Sequence, residues 1–139
     1  MLYFKGSVAL ETRDENDKSK TVKKDYVFQA VNYTDAETFL TQQLEETGES
    51  NFDITNIGKI KLNDVFISGE DTQLFFKCKV QFETENDKGK KKYIKDMILV
   101  DADDAEQAYK TVFEHFKESL MPYTIPNVDI IKITDYLER

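Results

Sequence analysis

One histidine and one cysteine are all this chain offers to the chemistries that depend on them. His115 falls in a helical pattern between Glu114 and Phe116, with no second histidine to share a metal or a proton. Its place reads as a helix surface rather than a general base. Cys78 lies on the apolar face of a strand pattern, the position of a small core residue rather than a nucleophile. The two are too few for a set of zinc ligands. The glycines form no phosphate-cradling loop, and neither a Gly-x-Ser-x-Gly elbow nor a His-Glu-x-x-His segment is present. The acidic runs Asp14–Asp17 and Glu83–Asp87 place carboxylates close together, as calcium requires. They lack the turning glycine and the closing bidentate glutamate, so they read as solvated turns. No catalytic residue, cofactor or metal is expected, and the chain reads as a non-enzymatic binding protein.

The residues that do suggest a function are aromatic and basic. If Leu2, Phe4 and Val8 face a core, Tyr3 and Lys5 face the other way; Phe75, Lys77 and Lys79 repeat the arrangement. Rings on an open sheet stack unpaired bases at roughly 1–3 kcal/mol each, and neighbouring lysines neutralise phosphates. Lys23 and Lys24, with Lys90, Lys91 and Lys92, extend the basic surface along two hairpins, and Lys18, Lys20 and Lys88 lie at their tips. The expected ligand is therefore single-stranded nucleic acid. Duplex reading is disfavoured, because the only arginines are Arg13 and Arg139 and no helix carries a recognition set. The competing expectation is a protein-interaction or assembly module, with a homodimer included. Tyr3 and Phe75 then pack under a helix or in an interface, and the lysines guard strand edges.

The elements that would position these residues are legible from periodicity. Leu2 to Thr12 alternates as a half-buried strand, residues 13–20 form a polar turn, and Thr21 to Val31 is a β-rich second strand. Thr34-Asp-Ala-Glu37 has capping-box spacing and predicts a helix through Ala36, Phe39, Leu40 and Leu44 that ends at Gly48. Phe52 to Phe66 is a third strand region, with Asn56 or Gly58 marking a bulge. Residues 68–73 are a short polar connector.

The cycle then restarts. Leu74–Thr84 matches Leu2–Thr12 at an offset of 72, and Tyr123–Leu137 matches Phe52–Phe66 at 71. Ile54/Ile125, Asn56/Asn127, Lys61/Lys132 and Asp64/Asp135 are identical. The tips share Glu-Asn-Asp-Lys, at Glu15–Lys18 and Glu85–Lys88, and Asp104-Ala-Glu106 answers Asp35-Ala-Glu37. The second helix carries a broader apolar stripe: Ala105, Ala108, Tyr109, Val112, Phe113, Phe116 and Leu120. Pro122 and Pro126 place the start of the last strand at a sheet edge.

Each half thus reads as ββαβ. The expected fold is α+β: tandem duplicated units, residues 1–70 and 71–139, making one pseudo-twofold domain. A mainly antiparallel sheet would carry both helices on one face. Two small sheets are the alternative arrangement. About 70 residues alone would be marginal, which favours a shared core.

Composition sets the remaining bounds. The 139 residues are 40% hydrophobic and 33% charged, a soluble globular balance. No apolar run approaches the length of a membrane span, and the first residues show no secretory pattern. The single cysteine suits a reducing interior, so the expected location is cytoplasmic. Net charge is −8, but it is sorted: residues 5–24 balance to +2 and residues 77–95 to +4, leaving −14 elsewhere. A sorted surface attracts anions locally even on an acidic molecule.

The Phe-Lys-Cys-Lys-Val start at Phe76, the Leu-Val-Asp-Ala segment at Leu99 and the Ile-Ile-Lys-Ile strand at Ile130 carry a resemblance. The chain resembles an uncharacterised domain-of-unknown-function family of Bacteroidetes bacteria and their crAss-like phages. The resemblance implies a bacterial or phage intracellular setting and transfers no catalytic residues.

Overall fold

The computed structural model describes residues 1–49, 51–69 and 74–139. The last four residues of the polar connector, 70–73, lie outside the described residues. The protein is α+β, as expected, but its strands form two four-stranded sheets rather than one. It divides into two compact units, residues 1–60 with 133–139 and residues 61–132.

In unit 1, β1 (Leu2–Arg13) and β2 (Ser19–Ala30) form a hairpin with Leu2 opposite Ala30. Helix α1 (Tyr33–Glu46) follows, and then β3 (Phe52–Lys59) pairs antiparallel with β1. Alternation decides the inward face: Phe4, Val8, Leu10 and Phe28 pack beneath Ala36, Phe39, Leu40 and Leu44 of α1. Burying each large side chain of this set stabilises the unit by about 1.5–3 kcal/mol. Gly6 lies in the same row because a Cβ there would meet Leu40 Cδ2 at 2.5 Å. The expected bulge is real. The β1–β3 register slips between Ser7 and Val8, leaving Thr55, next to Asn56, as the extra residue.

Unit 2 repeats this order. Strand β5 (Leu74–Glu85) pairs with β6 (Lys91–Ala102), with Leu74 opposite Ala102, again an offset of 72. Helix α2 (Ala105–Phe116) buries Ala108 and Val112 over Phe76, Cys78, Val80 and Phe82. Strand β7 (Tyr123–Ile131) lies at the sheet edge, as its prolines predict. Ile125 and Pro126 together stand against Val80, so Pro126, which has no N–H, sits where the ladder is already broken.

The third strand region is not continuous. After Ile60 the chain leaves unit 1 and enters unit 2, where β4 (Asp64–Phe66) pairs parallel with β6. After Lys132 it returns, and β8 (Asp135–Leu137) pairs parallel with β2. Equivalent hydrogen bonds anchor both arrivals. The Asn63 N–H donates to the Met97 carbonyl at 2.7 Å, and the Thr134 N–H to the Asp25 carbonyl at 2.7 Å. Val65 and Phe66 are half-buried, and Phe66 and Leu137 reach the cores of their respective units. The sheet orders are β3-β1-β2-β8 and β4-β6-β5-β7.

The start of α1 sits two residues before the expected capping box. Asn32, not Thr34, caps α1, accepting from the Asp35 N–H at 2.8 Å. Asp35 returns a hydrogen bond from the Val31 N–H at 2.9 Å. Asp104 caps α2 in the same way, with Gln107 reaching back to Asp103 N–H. The structural partner of Asn32 is therefore Asp104. Matching the two Asp-Ala-Glu runs slides one helix three residues along the other.

Candidate functional site

Strand registers sort the expected site residues onto separate faces. In unit 1, Tyr3, Lys5 and Lys23 lie on the face turned from α1, because Lys23 stands opposite Ala9. Lys24 stands opposite Val8 and so shares the helix side. In unit 2, Phe75, Lys77, Lys79 and Lys91 lie on the face turned from α2, whereas Lys92 lies on the helix side and Lys90 in the turn. The ten residues are thus not gathered on one surface.

The aromatic rows also differ from expectation. Phe75 is turned away from α2 but only 7% exposed, and the neighbouring Leu99 on the same face is fully buried. Base stacking on Phe75 would require that face to open. Tyr3 is half-buried, opposite Gln29. Beside Phe75 lies Asp101, a buried carboxylate. It accepts from both the backbone N–H and the hydroxyl of Ser68, each at 2.8 Å. Periodicity gives the direction in which a side chain points and says nothing about what covers it.

The hairpin lysines have acidic company. Lys91 pairs with Glu83 at 3.1 Å, and that contact holds its ammonium above its ordinary range. Lys77 stands opposite Asp129 of β7. The aromatic residue that is open here is one the sequence reading passed over. Tyr93 of β6 is 52% exposed, on the same face as Lys91 and Lys95, two residues to either side. The alternation that selected Phe75 would have found it.

The acidic tips are turns. One Asp14 carboxylate oxygen accepts from the N–H groups of Asn16 and Lys18, both at 2.9 Å; Asn86 does the same for Lys88 and Lys90. Asp17 takes a positive φ of 61° where Gly89 takes 74°, so the tips align at an offset of 72 rather than on the shared Glu-Asn-Asp-Lys. Among the described residues, no three His, Cys, Asp or Glu side chains cluster as metal ligands. Cys78 is buried, and burial, with Asp129 nearby, pushes its thiol up to about 11. His115 is exposed on α2, and its ring stacks on Phe66 with centroids 3.6 Å apart.

The most distinctive exposed feature is the flank of α2. Tyr109 and Phe113, one turn apart, are 44% and 46% exposed, with rings stacked at 6.3 Å and an interplanar angle of 14°. Phe113 also meets Tyr123 at 6.5 Å, and Leu120 and Met121 just beyond the helix are exposed. In α1 the equivalent positions are Glu37 and Thr41, both on the polar side expected of a surface helix. The broad apolar stripe in the sequence carried this signal: it is wider than one core can bury.

The fold defines an α+β protein of two compact units. The chain belongs to the family described as Domain of unknown function (DUF4494), whose model matches residues 2–139. Neither curated proteins nor solved structures gave a match. No described helix is long and apolar enough to cross a membrane.

Proposed function

We propose that this chain is a non-enzymatic interaction module that docks a polypeptide through the aromatic flank of α2. The observation that carries this reading is the stacked, half-exposed Tyr109–Phe113 pair, which has polar residues at the equivalent positions of α1. Contiguous exposed aromatic surface is what interface cores are built from, and Tyr and Phe are enriched there. The test places a photo-reactive cross-linker at position 109, and separately at position 88, in cells of the source organism. A polypeptide adduct at 109 that is absent at 88 and lost with Phe113→Asp supports the reading. No adduct at 109, or one that survives Phe113→Asp, defeats it.

A second reading keeps single-stranded nucleic acid as the ligand, and exposed Tyr93 between Lys91 and Lys95 favours it. Labelled oligo-dT should then bind with an affinity that falls steeply between about 50 and 200 mM salt. Tyr93→Ala should weaken it while Phe75→Ala does not. A bacterial or crAss-like phage setting and a cytoplasmic location belong to the same proposal. Both rest on the resemblance and on the single cysteine.

A further inference from the structure

We infer that the partner seated on the α2 flank is a second copy of this chain, packed with its α2 antiparallel to the first across a twofold axis. The inference rests on the docking reading above and adds the identity of the occupant. Glu106, Tyr109, Phe113 and Lys117 follow one another at spacings of three, four and four, so they form a single stripe on the helix surface. Lys117 caps the helix with helical dihedrals (φ −58°, ψ −25°), so the stripe continues through it. All four residues are exposed.

The order of types along this stripe is self-complementary. An isologous contact brings one patch against itself, so a residue on one side of the axis must suit its mirror position. With the axis level with Thr111, Tyr109 of one copy meets Phe113 of the other, and Glu106 comes within one residue of Lys117, inside the reach of two long side chains. The acid at one end and the base at the other close the apolar centre with two equivalent ion pairs. A parallel arrangement would set Glu106 against Glu106 and Lys117 against Lys117.

The existing partners of these charges do not prevent the exchange. Glu106 pairs with Lys110 at 3.2 Å and Lys117 with Glu114 at 3.0 Å, all four side chains more than half exposed. Such pairs contribute little and are readily traded. The corresponding stripe of α1 is Thr34, Glu37, Thr41 and Glu45, which has neither an apolar centre nor opposed charges. Self-pairing is therefore specific to α2.

A one-helix contact is at the small end of specific interfaces, so the dimer should form on the order of tens of micromolar. Sedimentation equilibrium across this range tests it. The mass should rise from 16.2 kDa toward twice that value. Glu106→Lys or Lys117→Glu alone should raise Kd at least about tenfold, since each disturbs two contacts. The combined variant Glu106→Lys/Lys117→Glu should restore it. Circular dichroism on each variant confirms that α2 is intact.

A wild-type mass that stays at 16.2 kDa overturns the inference, as does a dimer indifferent to Phe113→Asp or one that the combined variant fails to restore. The failures of the two readings remain separate. If the chain is monomeric but position 109 cross-links another polypeptide, only the second-copy assignment falls. If position 109 cross-links nothing, the docking reading falls with it.

Discussion

Leu137 belongs to the second sequence repeat, yet Leu137→Ala should loosen unit 1 and spare unit 2. The side chain pairs through β8 with Phe28 and packs against the cluster of Phe4, Val8 and Leu40. A fully buried leucine truncated to alanine costs about 2–5 kcal/mol, and Leu137 is half-buried, which places it at about 2 kcal/mol. That corresponds to about a thirtyfold rise in the opening constant. Native-state amide exchange resolves the location: amides of β1 and β2 should lose protection, while those of β5 and β7 should change much less. Phe66→Ala supplies the mirror case. Its ring stacks on His115 and meets Phe116, so β5 and β6 should loosen by about 3 kcal/mol although residue 66 precedes that hairpin. No loss of protection with Leu137→Ala, or a loss confined to β5–β7, refutes the assignment of β8 to unit 1.

Other outcomes follow from the same geometry. The unfolded Cys78 thiol loses its proton near 9.0, whereas the buried thiol holds it to about 11. The unfolded state therefore binds fewer protons in that window, and stability should fall by at most about 2–3 kcal/mol as pH rises from 9 to 11. Urea midpoints for Cys78→Ala should show a shallower decline. Arg139 donates to Asp35, and this, with the Val31 N–H, holds the Asp35 carboxyl below its usual range. A depressed carboxyl stabilises above its unfolded pKa and loses that contribution as pH falls, so Arg139→Ala should flatten the acid limb of a stability profile. Asn32→Ala and Asp104→Ala should each cost about 1 kcal/mol in denaturant titration, while Thr34→Ala, outside the cap, should cost clearly less. Gly6→Ala should cost about 1–3 kcal/mol by thermal or urea melt, because its Cβ drives into Leu40.

Much of the fold was legible because alternation and helical spacing are local. The strands of both hairpins, the two helices, the irregularity near Asn56 and the edge position of the last long strand all follow from short windows of sequence. The path after Ile60 did not, since nothing in Ile60–Phe66 marks which sheet the strand joins. Apolar alternation is the same whether a strand stays or leaves. The cap of α1 was misplaced because a hydroxyl and a glutamate at the right spacing look like a capping box. Asn32, two residues earlier, competes for the same role with better geometry. The site was the least legible part. Orientation of Phe75 was readable, but its burial depends on residues distant in sequence. The flank of α2 was visible as excess apolar width without a reason for it.

The placement of β8 has a consequence for synthesis. Ribosomes emit chains from the N-terminus, and domains generally fold as units as they emerge. Here β1, β2 and α1 are made before β8 and lack their fourth strand until Asp135–Leu137 have been added. Until then the outer edge of β2 near Tyr26–Phe28 presents unpaired backbone groups, a template for another strand. A chain that stopped short of Asp135 would carry unit 2 entire and unit 1 without its fourth strand. Closure of unit 1 thus waits on residues made long after its own hairpin, and until they arrive its open edge can pair with something else.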